Sequence, residues 1–163
     1  MPGSTGCVLC GVVCVLCVLL GSGAPWPTHT VCSSNSVHAT YTSCDLLQDI
    51  GLSLSSCLRV DNNINIRLSV LLRHSVDELY LSADVYLVGD FFLHYDEPIC
   101  LPDFPRFSFC NSHRGELIHL ERPLKFKLYE LPAVVNQLGV HAVLLNQDGR
   151  SVACVNITLN IKT

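Results

Sequence analysis

The stretch VACVNITLNI, residues 152–161, alternates with a period of two. Val155, Ile157, Leu159 and Ile161 fall on one side, and Cys154, Asn156, Thr158 and Asn160 on the other. That is the pattern of a half-buried β-strand. Asn156-Ile157-Thr158 is an N-glycosylation sequon, and a glycan has to point into solvent. The aliphatic side is therefore the inner one, and the rest of the chain must supply what it faces.

Working outward, the same period recurs. In NINIRLSVLLR, residues 63–73, Ile64, Ile66, Leu68, Val70 and Leu72 share a face. After a connection at residues 74–77, ELYLSADVYLV places Leu79, Leu81, Ala83, Val85 and Leu87 opposite Tyr80, Ser82, Asp84 and Tyr86. Two such runs joined by a short connection predict a hairpin or a strand–turn–strand corner. Ile50, Leu52 and Leu54 alternate before them; FSFC (107–110), ELIHLE, LKFKLYEL and GVHAVLLN follow. No segment sustains a 3.6-residue apolar repeat. Short strands at regular spacing predict an all-β sandwich or barrel in one domain, without internal repeats.

Of 163 residues, 49% are hydrophobic and 15% charged, and the net charge is −4, which speaks against nucleic acid or an anionic membrane surface as partner. Residues 7–20 form an uncharged apolar run, followed by Gly21, Ser22, Gly23 and Ala24. The run is short for a membrane span, so residues 1–23 read as a secretory signal peptide, although no Lys or Arg precedes it. Residues 24–163 are then the folded domain. Cys7, Cys10, Cys14 and Cys17 mimic paired zinc ligands, but the pairs are too close to fold around a metal. The other six cysteines, Cys32, Cys44, Cys57, Cys100, Cys110 and Cys154, predict three disulfides in an oxidising compartment. Spacing suggests that Cys100 and Cys110 close a local loop and leaves the remaining pairings open.

Catalytic chemistry finds no foothold. The seven histidines lack metal-ligand spacing, and neither HExxH, GxSxG nor a phosphate-binding glycine loop is present. His119 and His141 fit surface positions of strands. Adjacent Asp96 and Glu97 point to opposite faces if they lie on a strand, which suits them poorly to acid–base work. The expected class is not an enzyme and needs no cofactor or metal.

The order of several motifs is more specific: SCDLLQDIG (43–51), NINIR (63–67), PIC (98–100), FSFC (107–110), GE (115–116) and VACVNIT (152–158), preceded by WPTH (26–29) and VCS (31–33). Together they span the chain beyond the signal segment and resemble the ML lipid-recognition family, in its myeloid-differentiation co-receptor branch. The resemblance implies an immunoglobulin-like sandwich of two antiparallel sheets, splayed around a deep apolar lipid cavity. It implies the pairings Cys32–Cys57, Cys44–Cys154 and Cys100–Cys110. It also implies a secreted, non-enzymatic protein that carries a lipid and joins the leucine-rich-repeat ectodomain of a Toll-like receptor homologue at the cell surface. That protein would modulate innate and B-cell responses to bacterial lipid. A free-standing lipid or sterol carrier is the alternative within the family; an adhesion module with a filled core is the alternative outside it.

Alternation alone is met equally by two interdigitated inner faces, and the resemblance is what favours a cavity. Combined, the two nominate as its lining Ile50, Leu52 and Leu54; Ile66, Leu68 and Val70; Leu81, Ala83 and Val85; Phe107 and Phe109; Val143 and Leu145; and Val155, Ile157 and Leu159. At the rim, the endotoxin-binding member of the branch has a basic cluster before the cysteine matching Cys100. Here the stretch is His94-Tyr95-Asp96-Glu97-Pro98. An acidic pair there would repel a bis-phosphorylated glycolipid, so the expected ligand is phospholipid-like. Arg122, Lys125 and Lys127 offer partial compensation, and residues 131–135 (LPAVV) an apolar lip.

Overall fold

Strand order decides how the apolar faces meet. The computed structural model describes residues 25–57, 64–104, 107–123 and 136–162. The signal segment, Lys125, Lys127 and the 131–135 lip lie outside them. The described strands are β1 (His29–Ser33), β2 (Val37–Ser43), β3 (Gly51–Leu54), β4 (Asn65–Leu71), β5 (Leu79–Leu87), β6 (Asp90–Cys100), β7 (Leu117–Pro123), β8 (Gln137–Asn146) and β9 (Ser151–Ile161). They form a six-stranded sheet A, β1-β2-β9-β8-β5-β6, and a three-stranded sheet B, β3-β4-β7. All pairings are antiparallel.

β9 sits inside sheet A, paired with β2 (Tyr41 opposite Ile157) and β8 (Val140 opposite Ile157). A strand with two neighbours has no free backbone edge. Its side-chain parity is then set by which face is covered, and Val155, Leu159 and Ile161 are buried while Asn156 and Asn160 are exposed. β2 supplies Val37, Ala39 and Tyr41 to the same interior.

Of the two readings of the 74–77 connection, the corner holds and the hairpin does not, because β4 lies in sheet B and β5 in sheet A; the corner takes in residues 72–78. Val76, fully buried in this corner, donates its N–H to Ser112 O (2.9 Å) and accepts from Asn111 N (2.8 Å). FSFC is a turn rather than a strand: Cys110 N donates to Phe107 O and Ser112 N to Phe109 O. The Cys100–Cys110 disulfide and the bonds to Val76 hold this segment against the corner. Asn146, 2% exposed, organises the β8–β9 turn. Its Oδ1 accepts from Asp148 N and Arg150 N, and its Nδ2 donates to Ser75 O. A buried amide with its bonds made costs little; left unpaired it would be expensive.

The two remaining disulfides join Cys32 to Cys57 and Cys44 to Cys154, the pairings the resemblance implied. Near them, buried Tyr41 donates its hydroxyl to Ile50 O and accepts from Leu52 N. Burial, more than the nearby Asp49 carboxylate, pushes this phenol above its ordinary value, against the lowering effect of the Leu52 bond. At this edge of the sandwich β1 approaches β3, and the Cys32–Cys57 disulfide and the Tyr41 bonds tie the two sheets together.

Candidate functional site: an apolar gap between the sheets

The inward faces of the two sheets differ along their length. At the end holding the 72–78 corner, Val70, Leu72, Leu79, Ile99 and Cys100 are 0–2% exposed, which is ordinary close packing. Farther from the corner, inward-facing apolar residues stay half-buried although they pack on the core: Leu54, Ile66 and Leu68 from β3 and β4, Leu120 from β7, Leu81, Val85 and Leu87 from β5, and Ile157 from β9, with Ile64, Leu138 and Leu159 sealed among them. Side chains of that type facing one another across a filled sandwich would be sealed. Their residual exposure is what a gap between the sheets, lined on both sides by aliphatic groups, would leave, and these residues are the candidate lining.

Of the nominated lining, Ile50, Leu52, Val70, Ala83, Phe109, Val155 and Leu159 are buried, and Leu54, Ile66, Leu68, Leu81, Val85, Phe107 and Ile157 are half-buried at the interior. Val70 belongs to the closely packed end. Phe107 and Phe109 stack with ring centroids 5.2 Å apart. Val143 and Leu145 are a correction. Val143 pairs with Cys154, whereas Ala142 pairs with inward Val155 and Val140 with Ile157, so Val143 and Leu145 take the outer parity of β8. The strand runs VHAVLLN, apolar on both parities, so alternation there decides nothing. One polar mark was available: His141 is outside, bonded to Asn156, and Val143 shares its parity. The inward residues missed in β8 are Leu138, Val140, Ala142 and Leu144.

The rim departs from the expectation in its charge. β6 was not foreseen as a strand, because an edge strand exposed on both sides carries no apolar alternation. Once it forms, Asp96 and Glu97 part company. Asp96 lies on the outer face with His94, whose Nε2 is 2.9 Å from Asp96 Oδ2 and whose Nδ1 is 2.7 Å from Asp84 Oδ1. The bonds to Asp84 and then Asp96 raise the His94 pKa above its ordinary value, and His94, with help from Ser82, lowers that of Asp96. Glu97 instead turns to the interior edge. Its Oε1 accepts from Arg122 Nη2 at 3.0 Å and its Oε2 from the Tyr95 hydroxyl at 2.7 Å. The Arg122 guanidinium lies 5.2 Å over the Phe107 ring. With side-chain exposures of 15% and 12%, Arg122 and Glu97 clasp β7 of sheet B to β6 of sheet A across the edge opposite β1 and β3. Asp96 therefore faces away from the gap, while Glu97 stands at its inner edge matched by Arg122.

Two open grooves lie outside this gap. One of about 260 Å³ is on the outer face of sheet A beside Asn156, and one of about 360 Å³ is lined by His29, Tyr41, Gly51 and Arg67. Among the described residues Cys44, His141 and Cys154 come together as metal-type ligands, but the two cysteines are joined in a disulfide and are not thiolates.

No family model matches the sequence. Individual proteins do. Two antiparallel sheets facing each other through aliphatic side chains make an ML-type β-sandwich. A Niemann-Pick type C2 protein from the Japanese carpenter ant shares this fold, at a TM-score of 0.50 and 15% identity over 72% of this chain and 96% of that one. Chicken MD-1, solved in complex with lipid IVa, is far more similar: TM-score 0.73 and 33% identity, over 85% of this chain and 99% of that one. Mouse and human lymphocyte antigen 86 are each 37% identical, over 85% of this chain and 85% of their own length. The chain belongs to the lymphocyte antigen 86 (MD-1) family.

Proposed function

We propose that this protein is a secreted lipid-binding co-receptor subunit, which holds an amphiphile between its sheets and associates with the leucine-rich-repeat ectodomain of a Toll-like receptor homologue. The observation that carries the reading is the contrast between sealed and half-buried inward residues on the same strands. Each methylene buried contributes about 0.8 kcal/mol, so a dozen acyl carbons contribute on the order of 10 kcal/mol before association costs. An aliphatic gap needs no directional chemistry to hold such a chain, which leaves specificity to the rim. The solved relative bears lipid IVa, which supports a lipid ligand. Among the described residues the inward rim presents Arg122 matched by Glu97, and the amphiphile we infer is phospholipid-like. Three disulfides suit an extracellular setting reached through a signal peptide at residues 1–23, with the single domain at residues 24–163 and a glycan at Asn156. No helix of the described residues is long and apolar enough to cross a membrane, and attachment to cells through the receptor accounts for surface location.

Native mass spectrometry of protein secreted from animal cells, followed by organic extraction, tests the lipid. The expected result is a stoichiometric mass excess that extracts as phospholipid. A bare polypeptide-plus-glycan mass, with no uptake of an apolar dye, would overturn it. Co-purification of a leucine-rich-repeat ectodomain from immune cells tests the partner.

A further inference from the structure

Outside the gap, the outer face of sheet A carries a groove that lipid binding leaves unused. Asn156 stands opposite His141 and His141 opposite Asp84; one step along, Thr158 stands opposite Gly139 and Gly139 opposite Tyr86. Because Gly139 has no side chain, the surface is hollow between Thr158 and Tyr86, and the groove of about 260 Å³ runs from Asn156 to Tyr86. His141 Nδ1 donates to Asn156 Oδ1 at 2.7 Å, which pins the amide oxygen and turns the amide nitrogen away from the imidazole. At the far end Tyr86 packs edge-on against Phe91, with centroids 6.0 Å apart, and Phe91 is 61% exposed. An exposed Phe91 beside a half-buried Tyr86 on a sheet face invites a cover.

We propose that this groove is the seat of the glycan on Asn156, with the face of Tyr86 as the platform for its first sugars. The proposal rests on the reading of Asn156 as an occupied sequon. Adjacent strands are about 4.8 Å apart, so Tyr86 stands about 10 Å across the sheet from the β9 strand, within reach of the two N-acetylglucosamine residues that begin an N-linked glycan. The C–H bonds on one face of a pyranose carry slight positive charge and meet the negative face of an aromatic ring favourably. Polar edges of the groove, Gln137 and Thr158, suit sugar hydroxyls and not an acyl chain. A seated glycan covers Tyr86 and Phe91 and keeps other proteins off this face, so a receptor has to approach elsewhere.

The test uses full-length protein secreted from animal cells grown on ¹³C-glucose, as wild type, Tyr86→Ser and Gly139→Gln. Glycopeptide mass spectrometry first measures occupancy of Asn156, and an unoccupied site overturns the sequon reading and the seat together. With the site occupied, the wild type should show upfield ring-current shifts for C–H resonances of the first two sugars. Those resonances should return to free-glycan positions in Tyr86→Ser at unchanged occupancy. Gly139→Gln fills the groove from a position where a Cβ meets only an ordinary 3.5 Å contact with Tyr86 Cβ, and it should displace the sugars likewise. Free-glycan shifts in the wild type at full occupancy would refute the seat while leaving the glycan, and the lipid reading, intact.

Discussion

The Arg122–Glu97 clasp is the sharpest target, because it is a nearly buried ion pair that bridges β6 of one sheet and β7 of the other. Arg122→Met keeps an unbranched apolar stem while deleting the guanidinium and its charge. Glu97, 12% exposed, then loses the guanidinium while keeping its other bonds, that from the Tyr95 hydroxyl among them. Removing one member of a buried pair costs about 3–5 kcal/mol, and the residual exposure here argues for the lower end, about 3 kcal/mol. Loss of the Arg122 stacking on Phe107 adds about 0.5–1 kcal/mol. The double variant Arg122→Met/Glu97→Leu removes both charges and should recover most of that loss, since buried pairs replaced by apolar groups are often neutral in stability. Urea denaturation of lipid-loaded protein gives the stabilities, and exchange of a fluorescent phospholipid gives the off-rate, which should rise in Arg122→Met as the β6–β7 edge loosens. An Arg122→Met protein within about 0.5 kcal/mol of wild type, or a double variant as unstable as the single one, would refute the clasp. Glu97→Gln is the complementary change: it leaves Arg122 without its carboxylate and should shift preference toward anionic phospholipids.

Three further outcomes follow from the geometry. Ile157→Asp and Val140→Asp place a charge in the gap and should cost several kcal/mol and abolish lipid uptake, whereas Val143→Asp, on the other parity, should cost little more than about 1 kcal/mol and leave uptake intact; the reverse order in dye-binding and melting experiments would invert the β8 assignment. Val88 and Gly89 form the β5–β6 turn with φ of 52° and 93°, and Val88 is 58% exposed, so a β-branched residue is strained there without packing in return; Val88→Asn should raise stability by about 1 kcal/mol in a thermal melt. His94 has its folded-state pKa raised by Asp84 and Asp96, so its contribution is complete below the ordinary value near 6.5 and fades as pH climbs through the raised value. Melting temperature should therefore decline above about pH 6.5 more steeply in wild type than in His94→Gln, and parallel profiles would contradict the bridge.

Much was legible in the chain itself. Strict alternation with a sequon on one side is sufficient to orient β9, because a strand has only two faces and a glycan can occupy just one of them. The same local rule orients β4 and β5, but leaves the connection at residues 74–77 open between a hairpin and a corner until the sheets are assigned. It fails where both parities are apolar, as in β8, and where an edge strand is exposed on both faces, as in β6. Two things lie beyond any local pattern. Whether opposed aliphatic faces interlock or stand apart depends on the distance between sheets, which no residue encodes alone; here it is visible as Val70 sealed and Leu68 half-open on one strand. Whether Glu97 repels a ligand or secures an edge depends on its meeting Arg122, 25 residues away on the other sheet. Alternation is a property of neighbours along a chain and is written in sequence; separation and charge pairing are properties of neighbours across space, and only the folded structure decides them.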